Sequence, residues 1–160
     1  MRLLRFPAAV LLAALTLPGC DQVEAQSDFE RDARALPSGI TRTGAQGAVL
    51  STDPDDWRLG PVFAGRASVQ PFFPNPLPQG SAIGRISVTL FAPDGAPVGL
   101  VLYARSSTGT LRRLDERATP GLGTYELVAT AGMLGSVGLH RLVVADAFGE
   151  VVTYGDVQVE

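Results

Sequence analysis

Cys20 is the single cysteine of the 160-residue chain, and it closes the tetrapeptide Leu17-Pro18-Gly19-Cys20 behind an Arg-led apolar run. One thiol can neither form a disulfide within the chain nor build a cysteine metal cluster. The chemistry left to it is covalent consumption of the sulfur, which would remove the liability a lone thiol carries in an oxidising compartment. His140 is also single and alternates with Leu142 and Val144, the pattern of a strand-face histidine rather than a base or ligand. Ser136 in Gly135-Ser136-Val137-Gly138 lacks the leading glycine and the strand-turn-helix setting of a nucleophile elbow. Asp53, Asp55 and Asp56 crowd three carboxylates into four residues, but Arg58 stands where a calcium loop needs its sixth-position glycine. That segment reads as a solvated turn, pinned to the core by Trp57. Asp115-Glu116 sits among Arg112, Arg113 and Arg117, with no further acid placed to complete an acid/base couple. All thirteen basic residues are Arg, which removes Schiff-base lysine chemistry and the phosphate-loop Lys from Gly132 to Gly138. No catalytic residue, metal ligand or cofactor is assigned, and the chain reads as non-enzymatic.

The elements that position Cys20 point to export. Arg2 and Arg5 form a positive opening, and Phe6 to Leu17 is an apolar run of secretory length, too short to span a bilayer. Pro18 and Gly19 should end any helix there and present an extended segment for cleavage between Gly19 and Cys20. Leu17, Gly19 and Cys20 resemble the lipobox of bacterial prolipoproteins, with Pro18 departing from the usual small residue. The resemblance implies removal of residues 1–19 as a signal peptide, lipidation of Cys20, and a membrane partner held through that lipid. Several acyl chains make such an anchor stable where one would not. Asp21 after the Cys resembles an inner-membrane retention signal of enteric lipoproteins, and the leaflet stays open.

Without the leader, eleven Arg face sixteen acids, a balance that argues against nucleic acid or an anionic surface as partner. Eighteen Gly and twelve Pro favour turns and strands over long helices. Residues 20–60 read as a tether. Within it, Ser27-Asp28-Phe29-Glu30 has capping-box spacing and predicts a short helix with Phe29, Ala33 and Leu36 on one face. Ile40 to Ser51 alternates around Gly44 and Gly47 as a small hairpin. Residues 61–160 carry the main domain. Val62 to Val69, Ile86 to Leu90, Val98 to Leu102, the stretch from Leu111, Tyr125 to Ala129, Leu139 to Ala145 and Val151 to Val159 give about seven strands, with turn signals at short spacing and no crossover helices. The fold expected is all-β, an antiparallel two-sheet immunoglobulin-like sandwich.

Pro74-Asn75-Pro76, Val98-x-Leu100-x-Leu102-Tyr103, Gly109, Arg112-Arg113-Leu114, Gly123-Thr124-Tyr125-Glu126 and Gly138-Leu139 follow in an order that resembles C-terminal sorting domains of type IX secretion cargo and the Ig-like domain of flagellar hook-capping proteins. Ala104-Arg105 replaces the usual Asp after Tyr103, and the last strand lacks terminal basic residues. The resemblance implies an Ig-like fold over about 74–160 and, as an alternative function, an exported cargo carrying a sorting signal. Phe72-Phe73 is the candidate protein contact, one ring sealing the sandwich and the other exposed to an envelope partner. The reading as a whole is a lipid-anchored envelope lipoprotein with a binding or structural module and no small-molecule substrate.

Overall fold

The structure, a computed structural model, describes residues 19–80, 82–106 and 108–160. Along the chain run α1 (Gly19–Ala33), β1 (Arg42–Thr43), β2 (Val49–Ser51), a 3-10 turn (Pro61–Phe63), β3 (Ala67–Phe73), β4 (Ile83–Leu90), β5 (Leu100–Arg105), β6 (Leu111–Arg117), β7 (Gly123–Thr130), α2 (Ala131–Leu134), β8 (Gly138–Ala145) and β9 (Val151–Val159). Period-two alternation decides most of the domain. Ile86, Val88 and Leu90 of β4, Leu100, Leu102 and Ala104 of β5, and Leu127 and Ala129 of β7 are buried, each strand offering one apolar row to a common core. One sheet has the order β3-β4-β7 and the other β6-β5-β8-β9, with every pairing antiparallel. The fold is therefore an all-β sandwich. Its open side between β6 and β7 is laced by Asp115, whose carboxylate accepts from the Val128 amide at 2.8 Å.

The ring systems of Trp57 and Phe72 stack in this core with centroids 6.2 Å apart. Two glycines make room for them. A Cβ on Gly155 would lie 2.3 Å from the Trp57 ring, and one on Gly84 would lie 2.1 Å from the Phe72 ring. Trp57 takes a left-handed backbone conformation (φ 59°), a rare state for a bulky residue, and its amide donates to the Tyr154 carbonyl at 2.6 Å.

β9 would be an exposed edge, and the chain covers it. Gly60 donates to Val152, Leu77 to Gln158, and Glu160 back to Leu77, at 2.7 to 3.1 Å. The backbone groups of an edge strand that would otherwise invite pairing with another chain are thus occupied. On the outer face of the same sheet lies α1. Phe29 and Ala33 pack against Val143, Val151 and Tyr154, with the Phe29 and Tyr154 rings 4.9 Å apart. The segment 20–60 consequently lies along the sandwich rather than hanging from it.

Three local expectations are corrected. α1 starts at Gly19 instead of at a Ser27 cap, and Ser27 lies inside it with its hydroxyl donating to the Val23 carbonyl at 3.0 Å. Asp21 to Gln26 contains no helix breaker, so propensity and the docked face carry the helix back through Cys20. Because α1 stops at Ala33, Leu36 falls outside it and is exposed. The first sandwich strand covers Ala67–Phe73, not Val62 to Val69, since Pro61 opens a 3-10 turn. The small hairpin expected between Ile40 and Ser51 is present as β1 and β2.

Candidate functional site

β8 and β9 each carry one formally charged residue, and the hairpin register sets Arg141 of β8 opposite Asp156 of β9. Both side chains are buried. The guanidinium grips the carboxylate with two bonds, Nε to Oδ1 at 2.6 Å and Nη2 to Oδ2 at 2.9 Å, and Nη1 donates to the Asp32 carbonyl at the end of α1 at 2.8 Å. A fork-to-fork pair of this kind fixes geometry as well as charge. The Ser38 amide adds a bond to Asp156 Oδ2 at 2.8 Å.

Around this pair the N-terminal segment is stitched to β9. Asp56 accepts from the Thr41 amide (2.6 Å) and the Asp156 amide (2.8 Å). Asn75 donates to the Thr41 and Asp156 carbonyls (2.8 and 2.9 Å) and accepts from the Gln158 amide (3.0 Å). Burial pushes the Asp56 carboxyl up to about 7, against the two backbone amides that favour its charged form, with the charges of Asp156 and Asp53 adding to the rise. The aspartate run is thus not a solvated turn: Asp56 is buried, and Asp55 lies 3.9 Å from Arg141. Among the described residues no group of three or more His, Cys, Asp or Glu side chains is arranged to hold a metal ion.

Above the Arg141 pair, at the end of the sandwich formed by the β5–β6 turn and the α2–β8 loop, opens a cleft of about 630 Å³. It is lined by the apolar Leu36, Pro37, Ala104, Leu134 and Leu139 and by the polar Arg105, Ser106, Thr108, Thr110, Arg112, Ser136, His140 and Arg141. Among the described residues no carboxylate lines it. His140 Nε2 donates to the Ser136 carbonyl at 2.7 Å, which fixes the imidazole on this wall. Arg112 donates to the Met133 carbonyl, tying β6 to α2. The Arg cluster expected around β6 divides here: Arg113 pairs with Glu116 and Arg117 with Asp115, both at 2.6 Å, whereas Arg105 and Arg112 have no carboxylate within 4.0 Å among the described residues.

The other end of the sandwich differs in kind. The β4–β5, β6–β7 and β8–β9 loops meet there, pinned by Ala147 donating to the Val98 carbonyl (2.9 Å) and Gly99 to the Thr119 hydroxyl (2.7 Å). They expose Phe91, Val98, Leu122 and Phe148.

Of the Phe72-Phe73 pair, Phe72 is wholly buried and cannot touch a partner; Phe73 is half-buried beneath the Arg85 guanidinium at 5.9 Å. Gly19 and Cys20 lie in the opening turn of α1, and the leader through Pro18 lies outside the described residues. Among the described residues no helix is long and apolar enough to cross a membrane. The residues missed by sequence reasoning are Arg141, Asp156 and Arg105. The first two had a signal, since aligning β8 and β9 about the Asp146 to Gly149 turn places opposite charges face to face. Comparison with protein-family models, curated proteins and solved structures returns no match for this chain.

Proposed function

We propose that this chain is a lipid-anchored, non-enzymatic lipoprotein of the bacterial envelope, held through Cys20, whose sandwich is an Ig-like binding module. Two sheets of three and four antiparallel strands, with the fourth strand joined to the third, support the Ig-like reading; the constant-type arrangement would place that fourth strand in the other sheet. The observation that carries the binding role is the acid-free cleft. In a chain with more acids than bases, Arg58, Arg85, Arg113, Arg117 and Arg141 each reach a carboxylate within 4.0 Å. Among the described residues Arg42, Arg66, Arg105 and Arg112 reach none, and of these Arg105 and Arg112 line the cleft beside His140 and four hydroxyl residues. An arginine fork favours carboxylate and phosphate, and the cleft is within the size range of small-molecule sites, so the ligand is an organic oxyanion of about monosaccharide size.

Calorimetric titration of the full chain with glucose 1-phosphate and galacturonate, against neutral glucose, tests the cleft. Saturable binding of either anion, weakened about tenfold or more by Arg105→Gln with Arg112→Gln at unchanged melting temperature, supports it. Equal binding of glucose, or none of any, removes it. Mass spectrometry of the processed N-terminus tests the anchor: a diacylglyceryl thioether on Cys20 is expected, and an unmodified Cys20 would overturn the placement.

A further inference from the structure

We infer that the loop end bearing Phe91, Val98, Leu122 and Phe148 is a membrane-contact surface that dips into the lipid leaflet to which Cys20 is tied; this rests on the lipid-anchor reading above. The direction of α1 carries the inference. Gln26 Nε2 donates to the Val151 carbonyl at 3.0 Å, at the start of β9, while the Asp32 carbonyl accepts from Arg141, whose cross-strand partner Asp156 lies further along the strand. α1 therefore runs alongside β9 in the same direction, with its beginning toward the β8–β9 loop. Gly19 lies seven residues before Gln26, about 10 Å further out at 1.5 Å per residue. Residues 21–25 are exposed along that stretch. Cys20, the residue the lipid-anchor reading acylates, thus sits at the same end of the domain as the three loops.

Large apolar side chains are exposed at both ends, with Leu36, Ile83, Leu111, Met133 and Val137 toward the cleft, and the approach of Cys20 is what singles out the loop end. Phe148 is 79 % exposed, Leu122 57 %, Val98 54 % and Phe91 51 %, and each sits at a loop. Large apolar side chains gathered on one face of a monomer mark a contact surface. They are also presented stiffly. Asp146 Oδ1 accepts from the Phe148 and Glu150 amides at 2.9 and 3.0 Å, and the Tyr125 hydroxyl donates to Gly121 at 2.7 Å, beside Leu122. Asp94, Asp146 and Glu150 lie on the same loops, so insertion would be driven by apolar burial and not by attraction to anionic headgroups. Contact at this end would hold the sandwich axis upright and turn the cleft of Arg105 and Arg112 away from the lipid.

Spin labels read this directly. Lipidation occupies Cys20, so Phe148→Cys and Leu122→Cys in the full, processed chain each offer one free thiol, and Thr108→Cys labels the far end. After reconstitution into neutral phosphatidylcholine vesicles, accessibility to oxygen and to a water-soluble nickel chelate is measured. The labels at 148 and 122 should be open to oxygen and shielded from nickel, at a depth of about 5–10 Å below the headgroup boundary, while the label at 108 stays open to nickel. Labels at 148 and 122 as open to nickel as the one at 108, in protein that floats with the vesicles, would overturn the contact and leave the anchor standing. Shielding from both reagents would overturn it in favour of a protein occupant. Failure to float would overturn the anchor, and the contact with it.

Discussion

The apolar interior between the two sheets and the polar seam beneath α1 hold the same strand, β9, from different sides and by different physics. In the interior, Val152, Val157 and Val159 join a cluster in which many side chains share the burial, and dispersion and hydrophobic contact are non-directional. In the seam, Arg141, Asp156, Asp56 and Asn75 make paired, directional bonds in which every deletion leaves a named atom without a partner. The interior should therefore yield gradually to substitution, and the seam abruptly.

The largest expected effect is at Arg141. Arg141→Met leaves the Asp156 carboxylate buried without its cation and should cost about 3–5 kcal/mol in denaturant unfolding. Adding Asp156→Leu should recover part of that loss, because the stranded charge goes too. A double variant no more stable than the single one would show that the seam acts by shape alone. Asn75→Ala comes next: three side-chain bonds to buried backbone groups are lost, roughly 3 kcal/mol at about 1 kcal/mol each. If Asn75→Ala cost no more than a surface change, the division between seam and interior would fail.

The interior has its own intolerant point, at the paired glycines. Gly155→Ala drives a methyl into the Trp57 ring and should cost about 1–3 kcal/mol, typical of overpacking. Trimming Phe72→Leu in the Gly84→Ala background should soften the equivalent cost there, since the clash is with that ring. A Gly155→Ala protein of native stability would mean that the stack slides freely, against the tight packing inferred for it.

The interior was legible in the sequence and the seam largely was not. Alternating Ile86, Val88 and Leu90, or Leu100 and Leu102, announces a buried row from neighbours two apart, and the Asp146 to Gly149 turn announces the last hairpin. The seam depends on residues such as Thr41, Asn75 and Asp156, far apart in sequence and brought together only by tertiary packing. Nothing local distinguishes Asp56, which is buried, from a solvated turn aspartate. The same reason explains the helix: Phe29 and Ala33 were readable as one face, but the sheet that holds them, through Tyr154 and Val143, is over a hundred residues away. Of the cleft, His140 and Ser136 draw attention in the sequence by residue type alone, and the sequence reads neither as catalytic. Arg105 enters the sequence reading only within the Ala104-Arg105 pair after Tyr103, because a missing carboxylate is a property of the folded surface.

The smallest effect is a pH slope, and it separates the two regions most cleanly because the interior has nothing to titrate. Asp56 has its folded-state pKa raised to about 7 by burial, above an unfolded value near 3.8. Below the unfolded value both states hold the proton, and the protonated group contributes its full stability. Between roughly 3.8 and 7 the folded chain binds a proton that the unfolded chain has released, so stability falls as pH rises and levels off above about 7. One proton separates the two states there, a slope of up to about 1.4 kcal/mol per pH unit, and the amides of Thr41 and Asp156 on the carboxylate act on the width of the window by lowering its upper bound. Unfolding measured from pH 4.5 to 8 in the native chain and in Asp56→Asn should differ in slope across that window and run parallel above it. Identical slopes would mean that the two backbone bonds keep Asp56 charged throughout, and that the seam is as indifferent to pH as the core it faces.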